Sequence, residues 1–580
     1  MADPRRSFES IFEGNIRSLR RRDRELAERL AGLRPNFSAP ACYRFLEARN
    51  GDPVPAMIGE GPARPLHSLV DPRREGARLI STLGGEDFLI FLGMGGAYHI
   101  EAALERPETG QALVVESGLR GLAELLGLRD LGRVLGDGRL RVLADLPPGA
   151  LEQMIPRLYL PALSGAVRVL PLRPRVEAAA GIFEAAAAEI RAAIVRISQD
   201  YSVQAHFGGR MFRNILRNTL RAEEIAGERP LPRISRAAIC AAGPSLDSQF
   251  PRIAESQEGG AFLIATDTSL PALLSAELEP DAAVSIDCQH ISYRHFIPPR
   301  GRAPEPGERA ALPLFLDLAS PPLLASLAGR PVFFSGGHPL AGYISSRWRP
   351  FPAVDTSGGN VTYAAVSLAE SLGAGEIELY GADFSYPLGR TYARGTYIFP
   401  YFEIRQNRLC PLEALFSNFL YRSPLEKKVP PQADEARRST EARRSIEARP
   451  CNKAWYYETE TLIRYREVLE AKVERMKALP AGGLRLNPPP RPGSPPKAPA
   501  LSARDFLSDY REKIRSLPAM KSGSAADYPA GLSGGERQIL ATLLPLTAAL
   551  RRKDPRLKGA TIIEETRNYS VSAIDRVLVE

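Results

Sequence analysis

Cysteine is scarce in this chain of 580 residues, and its placement excludes two of its common uses. The cysteines are odd in number, lie far apart and never form a CxxC pair, which argues against a disulfide framework and against a zinc site. They are Cys42, Cys240, Cys288, Cys410 and Cys451. Scattered thiols of this kind are typical of a reducing compartment, so we predict a cytoplasmic localisation.

Long apolar runs are missing as well. No uninterrupted run approaches the roughly 20 residues that a membrane-spanning helix needs. The first residues, Met1–Arg6, lack the apolar core of a secretion signal. The sequence therefore predicts a chain without a membrane span.

A concentrated basic surface is also lacking, although the net charge is +9. Arginine is interleaved with glutamate and aspartate along the chain. No basic run carries the aromatic residues that stack on nucleic-acid bases. We expect a solvated, arginine-rich surface and no nucleic-acid partner.

A phosphate-binding loop of the GxxxxGK[ST] type is absent from the whole sequence. The segment Leu532–Gln538 (LSGGERQ) matches the signature loop of ABC-type ATPases. That signature completes the ATP site of another subunit, which has to be built on a phosphate loop. A local helix start explains the segment better.

What the chain does have is length and a repeated alternation of strand-like and helix-like segments. A chain this long exceeds one hydrophobic core, so several domains are expected. Alternating strands and helices predict α/β domains with mainly parallel sheets. The predicted parts are a helical N-terminal segment (1–74), a first α/β domain (75–200), a second α/β domain (205–425), a charged and helical region (426–485), a proline-rich linker (486–500) and a small helical tail (501–580).

The first α/β domain opens with a strand–glycine–helix unit. The apolar run 87–92 (DFLIFL) ends at Gly93–Gly96 (GMGG), and a further strand, 112–115, is closed by Glu116. This is the layout of a site for a dinucleotide or S-adenosylmethionine, with an acid placed for a ribose. Because the third spaced glycine is missing, we favour a Rossmann-like scaffold with a vacant or degenerate site.

The second α/β domain contains apolar runs bounded by turn or helix signals, which predict strands. These runs are 237–242, 261–266, 282–286, 312–316, 331–334 and 376–380. Helical segments lie between several of them, at 268–277, 320–328 and 361–372. Since ligands of such sheets bind beyond the carboxyl ends of the strands, the site is expected at that edge.

The first strand of this domain leads into a candidate phosphate seat. Gly243 permits a tight turn and a close approach to a ligand, and Pro244 suits a first helical turn. Free amides around Ser245 and Leu246 would favour an anion. A second helix start, Ser357–Asn360 with Gly358 and Gly359, would hold a carboxylate or phosphate in the same way.

Polar residues follow every predicted strand of this domain, and a shared site explains them better than separate caps do. Prominent among them are Asp267, Asp287, His290, His338 and Asp383. Asp287 and Asp383 are candidates for catalysis, for sugar hydroxyls or for a metal ion. Mg²⁺ is allowed but not required, because one or two carboxylates suffice beside phosphates.

Histidine is the natural candidate for a general base, because its pKa lies near neutrality. His290, His295 and His338 all belong to the predicted edge. The sequence does not rank them, and each has the alternative of a structural hydrogen bond.

Several of these stretches together resemble a known family. They are Ala242–Leu246 (AGPSL), Ala265–Asp267 (ATD), Pro280–Asp287 (PDAAVSID) and Tyr380–Phe384 (YGADF). Over about residues 205–425 the chain resembles the 6-hydroxymethylpterin diphosphokinase MptE-like domain, the centre of bacterial motility-associated factor (Maf) glycosyltransferases. The GMGGAY…VVES unit is similar to the Rossmann-like N-terminal domain of these proteins. The resemblance implies transfer of a nonulosonic acid, of the pseudaminic or legionaminic type, to flagellin serines and threonines.

A more distant similarity is to bacterial sialyltransferases that use CMP-sialic acid and need no metal. It implies that Gly243, Pro244 and Ser245 seat the CMP and that Ser357–Asn360 lies near nucleotide and sugar. Tyrosines that steady the leaving phosphate in that family have no clear counterpart here. The candidates for this role are Tyr386, Tyr392 and Tyr397. Two arginines that follow Asp383 are candidates to pair with the sugar carboxylate, Arg390 and Arg394.

The fold-class prediction is α/β, with two Rossmann-like parallel-sheet domains, the second GT-A or sialyltransferase-like, and a mainly helical C-terminal region. The function hypothesis is a Maf-type glycosyltransferase that takes a CMP-activated sugar, acts on flagellin and requires no cofactor. One alternative is a diphosphokinase that uses Mg-ATP, with the metal on Asp267, Asp287 or Asp383. The other is a non-enzymatic flagellin-binding scaffold with a vacant nucleotide site. A homo-oligomer is possible in each case.

Overall fold

In a computed structural model, the protein forms two compact units. The first comprises Met1–Gly209 with Lys513–Val571, and the second comprises Arg210–Glu512 with Ser572–Glu580. The structure describes residues 4–36, 41–59, 62–84, 86–225, 231–297, 312–327, 329–428, 455–477, 501–520 and 525–580. The predicted linker 486–500 and the repetitive charged stretch at 429–450 lie outside these residues. The domain boundaries drawn from the sequence stay predictions.

The first unit contains a small antiparallel sheet and a parallel sheet, with helices between the strands. The strands are β1 (Tyr43–Glu47), β2 (Pro53–Met57), β3 (Arg64–Pro65), β4 (Glu86–Leu92), β5 (Gln111–Glu116), β6 (Leu140–Ala144) and β7 (Ala166–Pro171). The helices are α1 (Pro4–Arg20), α2 (Arg24–Leu33), α3 (Pro72–Ser81), α4 (Tyr98–Leu104), α5 (Leu119–Leu125), α6 (Gly132–Leu135), α7 (Ala150–Leu158), α8 (Pro161–Ser164), α9 (Arg173–Ala178) and α10 (Ala180–Glu224). Helix α10 continues into the second unit.

The parallel sheet of the first unit has the strand order β6-β5-β4-β7 and is covered on both faces. Alternate side chains of β4 enter different cores, as the pleat of a strand requires. Leu89 and Phe91 pack in the core that includes α1, α2 and α4. Ile90 and Leu92 pack in the core that includes α7 and α10. Burial on both faces explains why this strand is apolar throughout.

The second unit is built on a larger sheet and carries a short three-stranded one. The strands are β8 (Arg236–Cys240), β9 (Phe262–Thr266), β10 (Ala282–Ser285), β11 (Pro313–Asp317), β12 (Arg330–Phe334), β13 (Glu376–Tyr380), β14 (Tyr386–Pro387), β15 (Glu426–Lys428) and β16 (Tyr456–Glu458). The helices are α11 (Leu246–Glu258), α12 (Leu270–Ser275), a 3₁₀ helix (His290–Phe296), α13 (Pro322–Leu327), α14 (Pro339–Arg347), α15 (Val361–Leu372), α16 (Ile398–Glu403), α17 (Leu412–Leu420), α18 (Glu460–Lys477) and α19 (Ala503–Arg515).

The large sheet is fully parallel, with the strand order β12-β11-β10-β9-β8-β13. From β8 the chain moves outward in one direction through β9 to β12, and only β13 lies on the other side of β8. The sheet therefore has its topological switch point between β8 and β13, where open α/β sheets bind ligands. Helix α15 is buried on nearly every side and packs with Ile239, Ile264 and Phe315 of the sheet.

The end of the chain is helical, with a 3₁₀ helix (Ala525–Gly531), α20 (Gly534–Lys553) and α21 (Gly559–Val579). The segment that resembles an ABC signature begins α20. Ser533 accepts the amide hydrogen bond of Glu536, and the Glu536 carboxylate accepts that of Ser533 at 2.7 Å. This capping box is a local helix start, as the sequence indicated.

The α/β fold class is confirmed, and so are the six strands predicted for the second unit, with ends that differ by one or two residues. The N-terminal segment predicted to be helical (1–74) begins with two separate helices, because Asp23 caps α2 by accepting the Leu26 amide at 2.9 Å. The strands β1, β2 and β3 follow within the same segment. Within the described ranges, no helix is long and apolar enough to cross a membrane.

Candidate functional site

The carboxyl ends of β8 and β13 meet at the switch point through two glycines. The Gly243 amide donates to the Gly381 carbonyl at 2.8 Å. Gly381 has a φ of +63°, and a Cβ there would lie 2.3 Å from the Ala241 carbonyl oxygen. A Cβ at Gly243 would lie 2.5 Å from both the Gly381 oxygen and Asp383 Oδ2. Only glycine allows the two turns to approach this closely.

The Ser245 amide at the start of α11 donates to Asp383 Oδ2 at 2.8 Å. The anion at this helix start is therefore a side chain of the protein. Asp383 is only 6% exposed, and burial raises the pKa of its carboxyl while the bond to Ser245 opposes that shift. Among the residues that the structure describes, Asp383 Oδ1 has no hydrogen-bond partner, and the buried Ser245 hydroxyl has none other than the Asp383 carboxylate. Unpaired buried polar atoms are rare in folded proteins, and each one calls for an explanation such as a bound ligand.

Both arginines proposed for a sugar carboxylate lie at the start of the same helix. Asp247 of the first turn pairs with the Arg390 guanidinium and accepts the Arg394 backbone amide at 2.8 Å. The structure thus places Arg390 and Arg394 beside Asp247. It also gives the Arg390 charge a partner within the protein.

The next two strand ends supply the buried carboxylate of Asp267 and the half-buried carboxylate of Asp287. Asp267 accepts the Ser285 hydroxyl at 2.6 Å and the Thr268 amide at 2.7 Å. Asp287 accepts the Gln289 amide at 2.9 Å. Burial raises the pKa of Asp287, and the nearby charge of Asp267 raises it further. Two such carboxylates side by side suit proton transfer or a hard cation.

One member of this edge was missed by the sequence reasoning. Asp317 ends β11, is 5% exposed and accepts the Ala319 amide at 2.7 Å. Burial raises the pKa of its carboxyl to about 6. Its Oδ2 lies so near Gly336 that a Cβ there would be 2.0 Å away. The available signal was its position directly after the predicted strand 312–316, shortly before the turn-favouring residues Ser320, Pro321 and Pro322.

The three candidate histidines have different surroundings. His338 caps α14, since its Nδ1 accepts the Leu340 amide at 3.1 Å, and burial lowers its pKa to about 4. His290 is exposed on the 3₁₀ helix. His295 is buried, with its ring 4.4 Å from that of Tyr397 in an edge-on contact. Its Nδ1 has no partner within the described part of the chain, and its charge lowers the pKa of Asp287.

Tyr386, Tyr392 and Tyr397 form a group beside this edge. Burial raises the pKa of all three, and the Arg422 charge lowers each of them. The charge of Asp267 raises the pKa of both Tyr392 and Tyr397, so these two rings lie near the carboxylates. The hydroxyls therefore stay protonated at neutral pH and are available as hydrogen-bond donors.

The second predicted helix start is held by local bonds. Asn360 Oδ1 accepts the Tyr363 amide at 2.9 Å, and Asp355 accepts the Ser357 amide at 2.9 Å. A Cβ at Gly358 would lie 2.2 Å from the Tyr363 ring, and Gly359 has a φ of +71°. Among the described residues, no hydrogen bond joins Ser357–Asn360 to the turn at Ser245. The geometry is that of a helix cap.

The glycine-rich loop of the first unit is filled by side chains of the protein. The Met94 amide donates to Glu116 at 2.7 Å, and the Gly96 amide donates to His67 Nε2 at 2.9 Å. Glu116 also pairs with Arg175 at 2.9 Å, and both side chains are buried. A Cβ at Gly93 or Gly95 would strike Arg175 or His67, respectively. These contacts are those of a degenerate nucleotide site.

The metal-ligating side chains of the described residues do not cluster into a metal centre. Within the ranges that the structure describes, no group of three or more His, Cys, Asp or Glu side chains is arranged to hold a metal ion. The pair Asp267 and Asp287 remains as a possible holder of a cation that is also bound by phosphates.

Three comparisons relate this chain to known proteins. Residues 210–389 match the family model described as 6-hydroxymethylpterin diphosphokinase MptE-like. An uncharacterized protein of Treponema pallidum (strain Nichols) is 45% identical over 93 residues, 16% of this chain and 33% of its own length. A second uncharacterized protein of that organism is 35% identical over 173 residues, 29% of this chain and 80% of its own length. The chain thus spans a third of the one and four fifths of the other.

A solved structure has the same fold over nearly the whole length of the chain. It is the Maf glycosyltransferase from Magnetospirillum magneticum AMB-1, with a TM-score of 0.54 and 13% identity, covering 98% of this chain and 96% of that one. The protein thus carries an MptE-like domain within the fold of a Maf glycosyltransferase, and it belongs to one family with the Treponema pallidum protein of which it covers 80%.

Proposed function

We propose that the protein is a glycosyltransferase whose donor is a nucleotide-activated sugar bound at the carboxyl edge of the large sheet. The observation that carries the proposal is the buried Asp383 carboxylate at the switch point, whose Oδ1 has no hydrogen-bond partner among the described residues. The full-length fold likeness to a Maf glycosyltransferase supports it. In its specific form, a CMP-activated nonulosonic acid passes to a serine or threonine hydroxyl of flagellin.

The chemistry asks for a base on the acceptor side. We assign this role to His295, whose Nδ1 is unengaged within the described residues and whose charge lowers the pKa of Asp287. It would take the proton of the attacking hydroxyl while the bond between sugar and phosphate breaks. A well-placed general base raises the rate of such a reaction about 10²- to 10⁴-fold.

The leaving phosphate needs donors that gain strength as its negative charge develops. Tyr392 and Tyr397 offer protonated hydroxyls, and Arg422 supplies a positive charge beside them. Fixed donors in a site from which water is excluded are effective in this role. No metal is required in this scheme.

The match to the MptE-like model favours a second candidate, a diphosphokinase that uses Mg-ATP. Here Asp267 and Asp287 would hold the cation together with the phosphates, and the cation would neutralise charge on the transferred group. The buried carboxylate of Asp267 and the half-buried one of Asp287, whose pKa the Asp267 charge raises, fit that use. The large additional unit has no evident purpose in a reaction between two small molecules. A flagellin-binding scaffold without activity is the third possibility.

Direct binding and transfer assays separate these candidates. The purified protein is tested by thermal shift with CMP and, in parallel, with Mg-ATP. It is then incubated with flagellin and a CMP-nonulosonate, and the flagellin mass is measured. A glycosyltransferase is stabilised by CMP and adds one or more sugar masses. Stabilisation by Mg-ATP alone would favour the diphosphokinase. If neither nucleotide shifted the thermal midpoint, the scaffold without activity would be the remaining candidate.

A further inference from the structure

We infer that the Ser245–Asp383 pair binds the ribose hydroxyls of the donor nucleotide and not its phosphate. The inference rests on the proposed function and assigns one part of the ligand to one part of the site. It differs from the expectation raised by the sequence, in which the glycine turn and the start of α11 form a phosphate seat.

The first step concerns the charge at the start of α11. The Ser245 amide is already bonded to Asp383 Oδ2 at 2.8 Å. Asp247 adds a second carboxylate in the first helical turn. A helix start attracts a phosphate when its amides are free and its surroundings are not negative. At this turn both conditions are unmet, because the protein has supplied its own anion.

The second step concerns the hydrogen-bonding capacity that is left over. An ionised carboxylate accepts hydrogen bonds only, and Asp383 Oδ1 is buried without a donor among the described residues. The Ser245 hydroxyl, also buried and with no partner other than the Asp383 carboxylate, can still accept a hydrogen bond. A vicinal diol matches this pair, because one hydroxyl donates to the carboxylate while the other donates to the serine. A phosphate monoester would offer the carboxylate no donor when fully ionised.

The third step concerns position. The pair lies where the ends of β8 and β13 meet, at the switch point of the sheet, and nucleotides are bound at such points. The positive charge of Arg422 lies instead near the hydroxyls of Tyr392 and Tyr397, because it lowers the pKa of both. The ribose is thus assigned to the Asp383 side and the phosphate to the tyrosine side.

Two substitutions isolate the hydroxyl contacts. Asp383→Asn keeps an oxygen to accept the Ser245 amide and replaces the free acceptor by an NH₂ donor. Ser245→Ala removes the hydroxyl and keeps the backbone amide. Glu258→Gln is the matched control, since it also removes one negative charge but lies exposed at the far end of α11.

Isothermal titration calorimetry with the full-length protein measures the dissociation constants of CMP, cytidine and 2′-deoxy-CMP. For the wild type we expect CMP to bind at least tenfold more tightly than 2′-deoxy-CMP. Asp383→Asn should weaken the binding of CMP and of cytidine by a similar factor of ten or more. It should also abolish the preference for CMP over 2′-deoxy-CMP. Ser245→Ala should weaken both ligands by a smaller factor, and Glu258→Gln should bind like the wild type.

A phosphate seat makes the opposite prediction. Removal of the Asp383 charge would then tighten CMP binding and leave cytidine unchanged, which would overturn the inference while the proposed function stands. Equal binding of CMP and 2′-deoxy-CMP by the wild type would do the same. The dissociation constant of UMP is measured in the same way. If Asp383→Asn abolished only a preference of the wild type for CMP over UMP, the pair would contact the base, and the ribose assignment would be wrong. If the wild type bound none of these nucleotides, the proposed CMP donor would fail, and this inference with it.

Discussion

The amide of Ser245 and the carboxylate of Asp383, 138 residues apart in the chain, are joined by a hydrogen bond of 2.8 Å. This bond fastens the turn after β8 to the turn after β13 at the switch point of the sheet. It also decides the electrostatic character of the turn, because the helix start of α11 is capped by an acid of the protein. The predictions below test the geometry around this bond and the roles assigned to its neighbours.

The first prediction concerns Gly381, whose backbone lets the two turns meet. Gly381→Ala combines a positive φ with a Cβ that would lie 2.3 Å from a carbonyl oxygen. We expect a loss of about 3 kcal/mol or more in the free energy of unfolding. The measurement is the midpoint of urea unfolding, together with the yield of soluble protein.

Gly389 is a matched control for this substitution. It has a φ of +74°, but the nearest atom to an added Cβ is Leu420 Cδ2 at 3.7 Å. Gly389→Ala should therefore cost only the backbone term, about 1–2 kcal/mol. Equal losses for the two variants would show that the close approach of the turns at Gly381 contributes nothing.

Much of this edge was predictable, for a physical reason. Central strands of a parallel sheet are buried on both faces, so their sequences are short apolar runs that end where the chain meets polar residues. That pattern located β8 to β13 and placed Asp267, Asp287 and Asp383 on one rim. It also placed the glycine turn at the correct strand end.

The pairing of the rim residues was not predictable. The local sequence around Gly243 is that of an anion seat, and only the tertiary fold shows that Asp383 fills it. His338 has the residue type of a general base, but its ring caps a helix. In each case the outcome depends on a contact between distant or differently oriented segments, which local spacing does not encode.

The second prediction separates two histidines. His295→Gln should lower the rate of sugar transfer by about 10²-fold or more, because the ring is the proposed base. Its thermal midpoint and its affinity for CMP should stay near those of the wild type. His338→Gln should instead lower stability by about 1 kcal/mol through the lost cap, with a much smaller effect on the rate. The reverse pattern, measured by transfer kinetics and thermal unfolding of both variants, would exchange the two roles.

The third prediction uses the buried ring of His338. Burial lowers its pKa from 6.5 to about 4, so the folded state keeps the ring neutral where the unfolded chain protonates it. Below pH 6.5 the unfolded state binds more protons, and the free energy of unfolding falls as the pH falls toward 4. The contribution is up to about 3 kcal/mol, at 1.36 kcal/mol for each pKa unit.

This contribution is checked by comparing variants. The difference between the thermal midpoints at pH 7 and pH 4.5 should be smaller for His338→Gln than for the wild type, because glutamine does not titrate. His290→Gln, at an exposed position, should retain the full dependence of the wild type. An unchanged dependence in His338→Gln would mean that this ring titrates in the folded protein as it does in the unfolded chain.

The last prediction concerns the glycine-rich loop of the first unit. If its amides are satisfied by Glu116 and His67, millimolar NAD or S-adenosylmethionine should not shift the thermal midpoint of the wild type. Glu116→Ala would leave Arg175 buried without its partner and should cost about 3–5 kcal/mol. Glu177→Ala is the control, since Glu177 pairs with Arg64 at 3.4 Å on the surface, where such a pair contributes less than about 1 kcal/mol. Stabilisation of the wild type by either cofactor would show that the loop opens to admit a ligand, and the Glu116–Arg175 pair would then be a closed state of a working site.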